Sequence, residues 1–171
     1  MTAPPPAPVR DPAWPLSRSA IGLWLTQGVI STVVWAGALT AFFLLVPADA
    51  GTPVTLVRWL GPVLVVVYGA LVIGVRPRLR YRVHRWELTD DAVYTRAGWL
   101  TQEWRIAPVT RIQTVDSERG PIGRLFHLTK VTVTTASAAG PLVIDGLDEL
   151  VAAGFASEVT AAAQASRGDA T

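Results

Sequence analysis

The sequence has no cysteine, two histidines and one methionine. Without cysteine there is no disulfide, no thiolate nucleophile and no cysteine-based metal site. His84 and His127 alone leave no His-rich metal site. Charge is also scarce. Charged residues make up 16% of the chain, against about 25% in soluble domains. The deficit is local: no charged residue lies between Ser19 and Val46, and none between Trp59 and Val75. A proton or ion pathway through such runs normally needs an ionisable group inside them. A Gly-rich phosphate loop following a strand and an HExxH motif are missing as well.

Both uncharged runs are long and apolar. SAIGLWLTQGVISTVVWAGALTAFFLLV, at 19–46, would extend about 42 Å as a helix at 1.5 Å per residue, more than a hydrocarbon core of about 30 Å. WLGPVLVVVYGALVIGV, at 59–75, is near the lower limit for a span, and Arg58 can extend it by snorkelling. The pattern predicts a transmembrane helical hairpin with helices at 19–46 and 59–76 and an extracytoplasmic loop at 47–58. Ala48-Asp49-Ala50 imitates a signal-peptide cleavage site, but the preceding run is far longer than the roughly 7–15 residues of a signal peptide's apolar core. Ala70 and Gly74 form a small-xxx-small pair of the kind that supports helix contact, but such pairs are common by chance and ordinary lipid-facing or hairpin packing is the favoured reading. Residues 1–18, with the proline-rich TAPPPAPVRDPAWP, are expected to be a disordered or extended tail.

Charge sets an expected orientation. Arg10 and Arg18 precede the first helix, and Arg76, Arg78, Arg80, Arg82 and Arg85 follow the second. The connecting loop carries only Arg58, so the excess of positive charge predicts cytoplasmic termini in a multi-pass plasma-membrane protein. From Trp86 onward seven basic residues face eleven acidic ones, so the basic pI belongs to the juxtamembrane cluster. This excludes a nucleic-acid reading based on pI. The cluster serves as a stop-transfer signal. It also predicts headgroup contact by Arg78, Arg80 and Arg82 from a first strand, since each such residue near an anionic leaflet contributes about 1 kcal/mol.

From Tyr81 the pattern becomes strand-like. RYRVHRWELTDD, AVYTRAG, WLTQEWRIAP, VTRIQTVDSE, LTKVTVTTAS and LVIDG are separated by turn signals at 8–12-residue spacing, which predicts a small antiparallel barrel or sandwich. The Ala-rich LDELVAAGFASEVTAAAQAS has apolar residues at 147, 150, 151, 155 and 159 and reads as an amphipathic helix that can plug one end of the sheet. Asp145 or Asp148 can cap its start.

RIQTVD, GPIGRLFHL, VTVTT and the closing helix together resemble the bacterial pleckstrin-homology domain family, in particular its YdbS-like membrane proteins. The residues that carry the resemblance are Arg111, Ile112, Gln113, Val115 and Asp116, then Gly120 and Pro121, then Arg124, Leu125 and Leu128. The resemblance spans about 35–166. It implies a transmembrane hairpin followed by a cytoplasmic PH-like domain at 77–166 with a short tail at 167–171, an α + β membrane protein. One position departs from the pattern: His127 stands where the family commonly has Gly.

The stretch 111–128 mixes polar, charged and apolar residues. Asp116 and Glu118 are paired carboxylates, His127 is a possible base, and Arg119 and Arg124 are possible phosphate ligands. Ser117 lacks an acid–base partner nearby in sequence, so catalysis is disfavoured. A fold-pinning role fits better. In it, Arg111 and Gln113 share one face of a strand and Arg111 pairs with Asp116. Arg124 meets Asp116 or a carbonyl, and Ile122, Leu125 and Phe126 cover an end of the barrel. Ligand or partner binding is the alternative. His84 and His127 read as surface or boundary residues. Trp86, Trp99 and Trp104 read as core or rim, and any that are exposed would mark an interaction face. The leading expectation is a non-enzymatic, cofactor-free interaction module in the bilayer, forming homo-oligomers or binding a partner PH-like membrane protein. An anionic-lipid headgroup sensor and a small membrane enzyme are the competing readings.

Overall fold

The computed structural model describes residues 11–98, 100–136 and 140–168. The chain divides into two compact units, Ile21–Leu79 and a domain formed by residues 11–20 with 80–168.

The first unit is a helical hairpin. Helix α1 covers Ser19–Leu45 and α2 covers Thr52–Gly69. A π-helical turn, Ala70–Val75, leads into α3, Arg76–Val83. Both apolar stretches are long enough to cross a membrane. The hydroxyls within α1 are satisfied locally: Ser31 and Thr32 donate to the Gly28 carbonyl at 3.0 and 2.8 Å, and Thr40 to Ala36 at 2.9 Å. The helices approach closely where side chains are absent. A Cβ on Gly28 would lie 2.8 Å from the Val72 carbonyl oxygen, and one on Gly61 2.7 Å from Leu39 Cδ1. Tyr68 donates to Ser31 Oγ across the hairpin at 3.2 Å. Nothing lies within 4 Å of a Cβ built on Gly74, so the Ala70/Gly74 pair is not where the helices meet.

The second span differs from the expected 59–76 at both ends. Pro53 sits in the first turn of α2, where a missing N–H costs nothing, so the helix starts at Thr52 and the loop shortens. Arg58 turns back onto the end of α1. It donates to the Val46 carbonyl at 2.6 Å and the Phe43 carbonyl at 3.4 Å, and it lies over the Phe43 ring at 5.3 Å. A cation there satisfies the last carbonyls of a helix. At the other end the helix runs on through Arg76–Val83, past the expected end at 76 and the expected change to strand at Tyr81. Arginine at alternate positions imitates a strand, but arginine is also a good helix former and the helix is already nucleated. Pro77 would collide with the carbonyl four residues back. The wider turn before it, with Arg76 N–H bonded to Leu71 O, relieves that conflict.

The second unit contains two antiparallel sheets. The first has the order β1-β2-β3-β4, formed by Trp14–Pro15, Arg85–Leu88, Ala92–Ala97 and Glu103–Pro108. A 3-10 turn, Val109–Arg111, leads to the second, of order β5-β6-β7: Ile112–Glu118, Leu128–Thr135 and Leu142–Asp148. A short helix α4, Pro121–Leu125, joins β5 to β6, and α5, Glu149–Gly168, closes the chain. The sheets are not hydrogen-bonded into a closed barrel. A side chain links them instead: Arg105 on β4 donates to the carbonyls of Pro141 and Gly140 at 2.5 and 3.2 Å, at the entrance to β7.

The core lies between the sheets and α5. Val93, Val131, Val133, Ile144, Leu147 and Val159 are almost completely buried. Helix α5 contributes Ala152, Phe155, Val159 and Ala163, while Leu150 and Val151 are exposed. The expected apolar set at 147–159 is therefore corrected. Leu147 belongs to β7, and the helix begins two residues later, with Asp148 accepting the Leu150 N–H at 3.1 Å. Phe155 meets Trp86 edge-on, with ring centroids 5.5 Å apart at 86°.

Residues 11–18, expected to be disordered, are ordered on this domain; the remainder of that expected tail, 1–10, lies outside the described residues. Leu16 is 3% exposed and Ala20 fully buried. Ser17 N–H donates to the Gly146 carbonyl at 3.2 Å. Gly146 is the extra residue of a bulge in β7, since Thr129 pairs with Leu147 while Lys130 pairs with Asp145. Its φ is 112°, and a Cβ there would lie 2.8 Å from Ala20 Cβ.

Candidate functional site

The family-like residues at 111–128 are brought together only in part. Arg111 ends the 3-10 turn, and Gln113 is the bulged residue of β5, because Ile112 pairs with Thr135 and Thr114 with Thr134. The expected two-faced alternation of Arg111 and Gln113 is therefore broken. Arg111 does not pair with Asp116, which accepts instead from Thr114 Oγ1 at 3.0 Å. Arg111 lies in the 3-10 turn before β5 and is exposed there. Arg124 meets neither Asp116 nor a carbonyl among the described residues and is exposed. Gly120 and Pro121 start α4 as N-cap and N1. Leu125 is 76% exposed and covers nothing; Ile122 and Phe126 are half-buried. Beside this segment a groove of about 420 Å³ is lined by Ser117, Arg119, Arg124, Thr129 and Glu149. Arg119 and Glu149 pair across it at 2.5 Å.

His127 occupies a turn that suits glycine. Its φ is +53°, the one positive value at a non-glycine among the described residues. Its N–H bonds Arg124 O, and its carbonyl accepts from Glu149 N–H at 3.1 Å. The left-handed region costs an L-residue about 1–2 kcal/mol. His127→Gly is expected to stabilise the domain by about 1 kcal/mol, raising its melting temperature by about 4–8 °C. A thermal melt of the variant that is unchanged or lower would show that the imidazole makes a compensating contact.

The arginine cluster is split by the fold. Arg76, Arg78 and Arg82 are exposed on α3. Arg80 bonds Asp145 at 2.9 Å and so ties α3 to β7. Arg85 lies on β2, opposite Arg96. His84 is buried, 8% exposed, where a surface or boundary placement was expected. Burial, and then the Arg80 guanidinium, push it down to about 4. The folded state thus stays neutral at His84 until about pH 4, while the unfolded chain takes up a proton near 6.5. Stability is therefore complete above about pH 6.5 and falls as pH drops toward 4, by on the order of 3 kcal/mol from this residue. Denaturant titrations between pH 7 and 4 test this, because the slope should be shallower in His84→Gln than in the native chain.

A second surface was not visible in the sequence. On the first sheet, Arg85, Arg96 and Trp104 form one cross-strand row, and Glu87, Tyr94 and Ile106 the next. Both rows face away from α5, because the alternate row contains Trp86, which meets Phe155. Trp104 and Ile106 are 40% and 54% exposed. Strand β4 is a sheet edge, as is β5, and the two flank the same 3-10 turn. A cleft of about 240 Å³ runs beside β4 between Trp104, Ile106, Thr135 and Leu142. Residues 11–15 cross this face. Asp11 bonds Arg96 at 2.6 Å and accepts from Trp104 Nε1 at 3.2 Å, while Glu87 accepts the Ala13 N–H at 3.0 Å. The indole N–H, with Arg96, holds the Asp11 carboxyl below its ordinary range. Trp104 is thus the exposed tryptophan of this face, Trp86 is half-buried, and Trp99 lies outside the described residues. The available signal was the prolines flanking Asp11 and Trp14, which suit an edge strand. Among the described residues, no three His, Asp or Glu side chains converge as a metal site would require.

The chain is 29% identical over 82 residues to the UPF0699 transmembrane protein YdbS of Bacillus subtilis (strain 168). That match covers 46% of this chain and 52% of the relative, so the chain spans about half the length of the curated protein it matches. No solved structure matches it. The profile of the bacterial PH domain matches residues 27–163, which include most of the hairpin, strands β2 to β7 and most of α5. With two helices apolar and long enough to span a bilayer, and two sheets closed by a C-terminal helix, this chain is a membrane protein that belongs to the bacterial PH domain family.

Proposed function

We propose that the chain is a non-enzymatic, membrane-anchored interaction module that self-assembles or binds a partner membrane protein with a related domain. The observation that carries this reading is that β4 and β5 each lie at the edge of a sheet, with Trp104 and Ile106 of β4 exposed. Edge strands present free N–H and C=O groups that another chain can pair with, and aromatic residues are enriched at such contacts. The relation to a protein described only as a transmembrane protein supports the anchoring. The mass of the detergent-solubilised protein tests the reading. An oligomer or a co-purifying membrane protein is expected, and Ile106→Lys should weaken it. A strict monomer with nothing bound would overturn it.

Both termini lie in the cytoplasm under this reading, as the positive charge of Arg18, Arg76, Arg78 and Arg82 favours. Reporter fusions after Ala50 and after Thr171 check this, and an external C-terminus would reverse it. The exposure of Arg76, Arg78 and Arg82 favours a second role, gripping anionic headgroups. Equal behaviour of the full chain in neutral and anionic nanodiscs would remove that role.

A further inference from the structure

The segment Asp11–Pro15 lies on its domain like a bound peptide. Its strand, β1, is two residues long, and its side chains stay largely outside: Trp14 is 58% exposed. Asp11 is held by Arg96 and the Trp104 indole, and the Ala13 N–H by Glu87. Within the segment only Pro12 is buried; the denser anchorage follows, at Leu16, Ser17 and Ala20. Proline at 15 has no N–H to give the sheet, so pairing weakens just where the anchored part begins.

We propose that Asp11–Pro15 is exchanged between two copies of this chain, each laying its segment on the other's β2 and against the other's Arg96 and Trp104. This inference rests on the self-assembly reading and gives it a partner, a second copy. The observations favour that occupant over any other. Every copy carries both the acidic segment and the cationic, indole-bearing surface that fits it, so the contacts made in exchange are the same as those made within one chain. Apart from buried Pro12, the segment is held by two residues of strand pairing and by a few polar contacts of Asp11 and Ala13, both exposed, and ion pairs at exposed groups are individually weak. Anchorage in one bilayer keeps copies in the same plane. Five residues reach at most about 18 Å, so exchange requires neighbouring domains set side by side with their β2 edges facing. A reciprocal arrangement of that kind is an isologous pair, which closes on itself and does not propagate.

The absence of cysteine makes the test clean. One copy carries Pro15→Cys, and a second, differently tagged, carries Arg85→Cys; these positions are register partners across β1 and β2. The two are co-expressed in membranes and treated with a short thiol-to-thiol cross-linker. Only exchange gives an efficient mixed product. The expected result is a cross-linked heterodimer that is lost when Asp11→Lys is added to the first copy. It should also be missing when the second copy carries the cysteine at exposed Glu158 instead. Ala13→Cys with Glu87→Cys repeats the test on an independent pair. A chain carrying both Pro15→Cys and Arg85→Cys reports that the segment is seated. If that chain cross-links only within itself and the mixed copies give no heterodimer, exchange is overturned. The solution mass then separates the two readings. An oligomeric mass with no mixed product removes exchange and leaves self-assembly standing, whereas a monomeric mass removes both.

Discussion

Gly146→Ala is expected to destabilise the domain by roughly 2–4 kcal/mol, combining backbone strain with a steric conflict. Gly146 has φ 112°, a conformation that L side chains rarely adopt. The new Cβ would also lie 2.8 Å from Ala20 Cβ, and Ala20 is fully buried and has no flexible end to move. Relief requires either flattening the bulge in β7 or lifting residues 16–20 away. The first costs the pairing of Leu147 with Thr129. The second breaks the bond from Ser17 N–H to the Gly146 carbonyl. Denaturant unfolding of the detergent-solubilised protein measures the loss. Limited proteolysis distinguishes the two routes, since lifting the segment opens the chain near Leu16. A change below about 0.5 kcal/mol, the range of neutral surface substitutions, would show that the bulge is not held against Ala20.

The second large effect is at Phe155. Its ring is 3% exposed and meets Trp86 edge-on at 5.5 Å. Phe155→Ala removes that contact and leaves a cavity between α5 and the first sheet, and is expected to cost about 3–5 kcal/mol. Phe155→Leu, which keeps much of the volume, should cost markedly less. A double-mutant cycle with Trp86→Leu should yield about 0.5–1.5 kcal/mol of coupling from the aromatic geometry. Equal losses for Phe155→Ala and for the exposed Leu150→Ala would mean that α5 is not seated by this face.

Much of this architecture can be read from the residues. The first span is plain because no charge interrupts α1. Strands β3, β6 and β7 were recognisable from their alternation and their turns, and the last helix from its alanine-rich periodicity. What escaped has physical causes. Arg76, Arg78, Arg80 and Arg82 alternate like a strand, yet they continue a helix that was already formed. Arg111 was expected on the strand and Asp116 in the turn after it, but Arg111 belongs to the 3-10 turn and Asp116 lies within β5. His84 looks like a boundary residue until β7 and Arg80 enclose it. The face that holds Asp11 was the least legible feature of all. Its contacts to Arg96 and Trp104 join residues 85 and 93 positions apart, a separation that no local pattern encodes. The departure at His127 could be noted from the family resemblance, although its left-handed backbone could not.

The bulge at Gly146 also sets an order of events during synthesis. Ser17 is made 129 residues before the carbonyl that receives its N–H. At about 5–20 residues per second, that delay is roughly 6–26 s. Throughout it the aliphatic Leu16 has been translated, but the β7 bulge against which it is buried does not exist. The nascent chain must make its two apolar helices and five further strands before residues 16–20 can be seated on the bulge. Residues 16–20 are thus made well before the strand that seats them.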